Sequence, residues 1–141
     1  KVKLSCPLYI LLVYEIDFTM YYIKQSNNCN FRNLEVSEEK GGGNLSNYIC
    51  SKDKDKLLYL VQELRKTIDD FWDSKDRKPF EKDKKYWWVT VDEKGHLKTI
   101  HCKQDIITDK NGSPDKNYFE SSADAYLLLT LICSKVAMIL I

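Results

Sequence analysis

Apolar and polar positions along the chain fall into a short series of patterns. From Leu8 the even positions Ile10, Leu12, Tyr14, Ile16, Phe18, Met20 and Tyr22 are all apolar, and from Tyr14 onward Glu15, Asp17 and Thr19 alternate with them. That period of two predicts one long or bent strand, or two in succession. Gln25 to Asn33 is Asn-rich turn and loop chemistry, and Phe31 to Val36 is read as a short second strand. Glu38, Glu39, Lys40, Gly41, Gly42, Gly43 and Asn44 follow as the most flexible stretch and the best linker candidate. Between Asp53 and Trp72 the spacing turns helical: Leu57, Leu60, Val61, Leu64, Ile68, Phe71 and Trp72 recur every three or four residues, with charged residues largely opposite. Ser51 or Asp53 caps its start. Lys75 to Lys85 is a charge run that Pro79 keeps from being helical. Tyr86 to Val91 reads as a strand, Asp92-Glu93-Lys94-Gly95 as a turn, Leu97 to Cys102 as the returning strand, and Asp105 to Asn117 as a loop. A last helix begins near Ser121 or Ser122, with Ser121 and Asp124 at capping-box spacing.

These elements predict an α+β fold. A small antiparallel sheet, made of the N-terminal strand and the 86–102 hairpin, packs against two helices at about 53–72 and 122–140. The 141 residues are expected to form a single domain, 1–141, with a flexible Gly-rich segment at 38–47.

Composition narrows the class further. With 43% hydrophobic residues, five Gly and three Pro, the chain is neither disordered nor low-complexity. The 22 Lys+Arg against 21 Asp+Glu give a net charge of +1, so no global field marks a nucleic-acid or anionic-membrane binder, and any such site must be local. The aromatic content of 12%, with many Lys, Asn, Asp and Ile, resembles AT-rich codon usage and is treated as background. Cys6, Cys29, Cys50, Cys102 and Cys133 are odd in number and widely spaced, so they form no complete disulfide framework and no CxxC pair. A reducing, cytoplasmic location is expected. The sequons at Asn44 and Asn111 are then read as chance.

Two segments resemble targeting signals. Lys1 and Lys3 precede an apolar run, but no small-residue cleavage site follows and Glu15 and Asp17 interrupt it. Lys1 is read as a processed or trimmed start, or a point within a longer product. Ala125 to Ile141 has Lys135 as its only charge, and a membrane anchor is one reading of it; a lysine midway costs roughly 3 kcal/mol on insertion. A buried core helix is preferred, and burial in a homodimer is a further reading.

Few of the usual catalytic patterns are present. Gly41 to Gly43 lacks the GK[ST] ending of a phosphate-binding loop. His96 falls in the hairpin turn; His101 and Cys102, as strand neighbours, point to opposite faces and form no direct nucleophilic pair. No metal-ligand spacing appears, and no cofactor is expected. Asp69 and Asp70 read as a solvated helix face. The segment that stands out is 75–88, where Lys75, Arg77, Lys78, Lys82, Lys84 and Lys85 run into Tyr86, Trp87 and Trp88. Cations for phosphate and aromatics for base stacking are what nucleic-acid binders combine. On a strand, Tyr86 and Trp88 would share one face and Trp87 the other. Lys75, Arg77, Lys78, Lys82, Lys84, Lys85, Tyr86 and Trp88 are the candidate binding residues.

A resemblance enters here. Arg77-Lys-Pro-Phe-Glu-Lys-Asp-Lys-Lys-Tyr-Trp-Trp-Val89, Asp92 to Gly95, and Asn117-Tyr-Phe-Glu-Ser121 with Ala123 and Ala125 resemble small phage and prophage proteins of uncharacterised function. Those carry a "KP…YWY" strand, a "D-G" turn and an "NYF" lead-in to a terminal helix. The match covers about residues 75–126. Lys116 stands where the pattern has Gly, and the final helix is more apolar than usual. The resemblance implies a hairpin packed on helices, a mobile-element origin, and scaffold roles for Tyr86, Trp87, Trp88, Tyr118 and Phe119. The expected function is a non-enzymatic intracellular protein acting by binding a protein partner. A nucleic-acid-binding module using 75–88 and a small enzyme using His101 or Cys102 are the alternatives.

Overall fold

The computed structural model describes residues 19–25, 31, 33–92, 95–109 and 115–141. The apolar run Leu8–Phe18, Cys6, Cys29, most of the Asn-rich loop, Glu93, Lys94 and the 110–114 stretch lie outside the described residues.

Three strands form a first antiparallel sheet: β1 (Thr19–Gln25), β2 (Leu34–Lys40) and β3 (Ile49–Ser51), with β1 in the centre. Ile23 faces Val36 on one side and Ile49 on the other, so the apolar members of the alternation share one face. Helix α1 (Lys54–Asp73) follows; the Asp53 carboxylate accepts from the Lys56 backbone N–H at 3.2 Å and so satisfies one of its free first-turn donors. Its buried positions, Leu57, Leu60, Val61, Leu64, Ile68 and Phe71, are those of the periodic stripe. β4 (Lys84–Thr90) and β5 (His101–Ile107) make a second, two-stranded sheet, and α2 (Ser122–Leu140) closes the chain. Ser121 caps α2 by accepting from Ala123, while Asp124 pairs with Lys75. α1 packs on all three strands of the first sheet and on α2, and α2 packs on both strands of the second. One continuous core runs through both, from Ile23 and Leu34 through the α1 stripe to Val89, Phe119, Leu128 and Ile132.

The α+β class and the two packing helices agree with the sequence reading, but the strands divide between two sheets instead of sharing one. The reason lies in backbone hydrogen bonding. β1 has both edges occupied, by β2 and β3. The edge of β4 away from β5 is also filled: Trp87 and Phe119 exchange two backbone bonds of 2.7 Å, and the Asn117 side chain accepts from the Val89 N–H at 3.0 Å and donates to the Val89 carbonyl at 2.7 Å. Among the described residues no ladder joins the two sheets. The second strand starts at Leu34 and runs through Glu38–Lys40, the first part of the segment read as linker, because Thr19 pairs with Lys40 across the ladder. The returning strand is later than expected. Leu97–Thr99 is a 3-10 turn pinned by the fully buried Leu97, and pairing with β4 runs from His101 to Ile107 into the expected loop.

Candidate binding site

The charge run after α1 folds back over aromatic rings. Arg77 stacks its guanidinium on Trp72 at 3.7 Å from the ring centre, reaches Phe119 at 4.9 Å, and donates from Nε to the Trp72 carbonyl at 3.1 Å. A planar, weakly hydrated cation suits this position, where a lysine ammonium would give up more hydration. Burial lowers the Arg77 pKa, opposed in part by Asp124, and its Nη2 is buried without a hydrogen-bond partner.

Beside it lies an aromatic cluster. Tyr118 meets Trp72 at 4.8 Å, Tyr86 at 5.1 Å and Phe80 at 5.8 Å, and Phe80 stacks on Tyr86 at 5.7 Å. The Tyr86 hydroxyl accepts from the Glu81 backbone N–H at 3.0 Å, which ties the 75–83 segment to the start of β4. Burial raises the Tyr118 hydroxyl pKa, with Tyr86 adding to it. Asn117 and Phe119 explain why Tyr118 stands there. With both neighbours locked to β4, the residue between them is held against Tyr86 and Trp72.

The result is an open cleft of about 190 Å³, lined by Trp72, Tyr86 and Tyr118 among rings, Lys75, Arg77 and Lys78 among cations, and Asp76, Glu120 and Asp124 among carboxylates. Of the sequence candidates, Lys75, Arg77, Lys78 and Tyr86 come together here. Lys84 stands outside the lining, bound to Glu120 at 2.5 Å and Glu81 at 3.3 Å. Lys82 and Lys85 are exposed outside it. Trp88 lies away from it too, half-buried on β4 with the Lys103 ammonium 5.8 Å from its ring centre. Trp87, one residue earlier, packs against the core and Tyr126. The basic stretch therefore does not make one positive stripe. Trp72, Asp76, Tyr118, Glu120 and Asp124 are not among the sequence candidates, because Trp72 reads as part of the helix stripe, Asp76 as a countercharge within the basic run, and the other three lie some forty residues from Arg77 in sequence.

The His101 and Cys102 pair is not gathered into this cleft. His101 is exposed with Nδ1 at 2.8 Å from the Thr99 carbonyl oxygen, and burial pushes the Cys102 thiol up to about 11, the direction opposite to an activated nucleophile. His96 is held by Asp92 at 3.0 Å and edges onto Tyr48. Among the described residues no group of three His, Cys, Asp or Glu side chains is placed to hold a metal ion. No family model, curated protein or solved structure matches the chain.

Proposed function

We propose that the chain is a non-enzymatic binding protein of phage or mobile-element type that acts by holding a protein partner in the cleft between the 75–78 segment and Tyr118. The observation that carries this reading is the make-up of the cleft: an aromatic floor of Trp72, Tyr86 and Tyr118 inside a rim where three cations face three carboxylates. Aromatic and Arg side chains in a concave site are the groups that anchor protein contacts, and a rim of both signs suits the mixed polar groups of a polypeptide. A phosphate backbone would meet as many carboxylates as cations here. Two of the cations that favoured nucleic acid, Lys82 and Lys85, also lie outside the cleft's lining.

The test is capture from host lysate on immobilised full-length protein, at low and high salt, with and without nuclease, in parallel with a Lys78→Glu variant. Lys78 is exposed, so the change leaves the fold alone. The expected result is a protein retained through nuclease and high salt by the wild type and lost by the variant. Capture abolished by nuclease, with the steep salt dependence of phosphate contacts, would replace this reading with nucleic acid. Equal capture by the variant would remove the cleft from the interface.

A further inference from the structure

The cations and carboxylates that line the cleft are equal in number but do not cancel pair by pair. Asp124 is taken by Lys75 at 3.6 Å, and Glu120 by Lys84, which stands outside the lining. Among the described residues, Arg77, Lys78 and Asp76 make no ion pair. Two cations are thus left against one carboxylate, and the cleft keeps a local excess of one positive charge.

Arg77 is the less satisfied of the two cations. Its guanidinium is fixed over the Trp72 ring, uses Nε on the Trp72 carbonyl, and keeps Nη2 buried with no acceptor. Burial lowers its pKa, and Asp124 opposes this from beyond ion-pair distance. A cation partly withdrawn from water is stabilised by a carboxylate against it, and here that carboxylate is missing. Lys78, the next residue along the chain, is exposed, and it acts on Glu120 behind the stronger hold of Lys84.

We infer that the cleft takes a single carboxylate of the protein partner, held by Arg77 and Lys78, with the chain that carries it lying against Tyr86 and Tyr118. The inference rests on the cleft being the partner's seat and names the chemistry of the contact. Charge selects the group. A carboxylate brings the cleft to neutrality, whereas a phosphate monoester, with a charge of about −1.5 to −2, would overshoot it beside Asp76. The planar guanidinium also matches the two oxygens of a carboxylate. Size agrees as well: about 190 Å³ is roughly six water volumes, room for one side chain or one chain end and not for a folded element. The carboxylate has two possible sources, an acidic side chain or the partner's C-terminus.

The experiment is an NMR titration of the 141-residue chain, read at the Arg77 Nε–H and Tyr118 amide signals, with three matched dipeptides. Acetyl-Glu-Tyr-amide carries a side-chain carboxylate, acetyl-Gln-Tyr with a free C-terminus carries a terminal one, and acetyl-Gln-Tyr-amide carries none. Ligands of this size bind with dissociation constants on the order of 1 mM, so titration to about 20 mM saturates the site. Saturable shifts with at least one charged dipeptide and none with the neutral one are expected, and the one that binds tells side chain from chain end. Arg77→Gln and the exposed Lys78→Gln should each weaken that binding about tenfold while the circular dichroism stays that of the wild type. Equal binding of the neutral dipeptide, binding unchanged in Lys78→Gln and Arg77→Gln, or tighter binding of inorganic phosphate would overturn the inference. So would the absence of binding by all three dipeptides. In that last case, lysate capture that still depends on Lys78 would leave the cleft as the partner site and remove the carboxylate alone.

Discussion

Replacing Asn117 by Ala tests how β4 is closed. Asn117 and Val89 are both fully buried, and the two hydrogen bonds between them are the partners of the Val89 backbone N–H and carbonyl on that edge. Truncation leaves both groups unpaired. A buried polar group left without a partner costs about 1–3 kcal/mol, and a water entering the vacated space recovers some of it, so a loss of about 2–4 kcal/mol is expected. That is a large part of the roughly 5–15 kcal/mol holding a domain of this size. Urea unfolding followed by tryptophan fluorescence gives the number, with a lower midpoint and an unchanged slope. Asn117→Asp sharpens the test. Its carboxylate can still accept from the Val89 N–H but repels the Val89 carbonyl oxygen, and burial would raise its pKa above the ordinary value of about 3.9. A raised carboxyl pKa stabilises below the unfolded-state value and loses that contribution as pH rises through the folded one. Asn117→Asp should therefore approach wild type in acid and fall behind it near neutrality. A loss under about 0.5 kcal/mol for Asn117→Ala would refute the closure argument, since that is the size of an ordinary surface change.

Other outcomes follow from the same geometry. Lys116 adopts a left-handed φ of 54°, so Lys116→Gly should stabilise by about 0.5–1 kcal/mol in the same urea assay. Lys116→Ala, which also removes the surface pair with Asp69, should not; equal behaviour of the two would count against strain. Arg77→Lys should cost about 1 kcal/mol by thermal melting, because the stacked guanidinium on Trp72 has no lysine equivalent; no change in melting would show that the stack contributes nothing. The Cys102 thiol, held at about 11, should react with iodoacetamide at neutral pH about 100-fold more slowly in the native protein than in urea, read by peptide mapping. The Glu120 carboxyl is held below its ordinary pKa first by the hydrogen bond from Lys84. The contribution of this exposed pair is present above the unfolded Glu value and lost as pH falls through the depressed one. An NMR titration should show the Glu120 pKa rise in Lys84→Ala, and an unchanged value would mean that the pair is not formed in solution.

Local pattern made some of this protein legible. The α1 stripe from Leu57 to Phe71 and its Asp53 cap are written in residue order, since the chemistry of a helix start and of one apolar face is contained within a few neighbouring residues. The strand read at 86–91, which runs from Lys84 to Thr90, and the Ser121 cap of α2 are legible for the same reason. β3 has only three residues, too few for any period, and β5 is exposed along most of its length, so its pairing leaves no alternation to read. In the candidate site, Lys75, Arg77, Lys78 and Tyr86 were visible as a run of cations meeting aromatics, while their companions Tyr118, Glu120 and Asp124 arrive from the far side of β5.

By itself, the sequence determined the element types that depend on local spacing, the two helices with their caps, and a net charge of only +1, too small to attract a polyanion from a distance. The tertiary structure alone decided that the strands form two sheets, that Asp124 and Glu120 meet Lys75 and Lys84 of the basic run, and that α2 keeps an apolar face outward. The physical reason is the same in each case. Edge hydrogen bonds, ion pairs and burial are made between residues distant in the chain, and which of them form depends on how the whole core is closed.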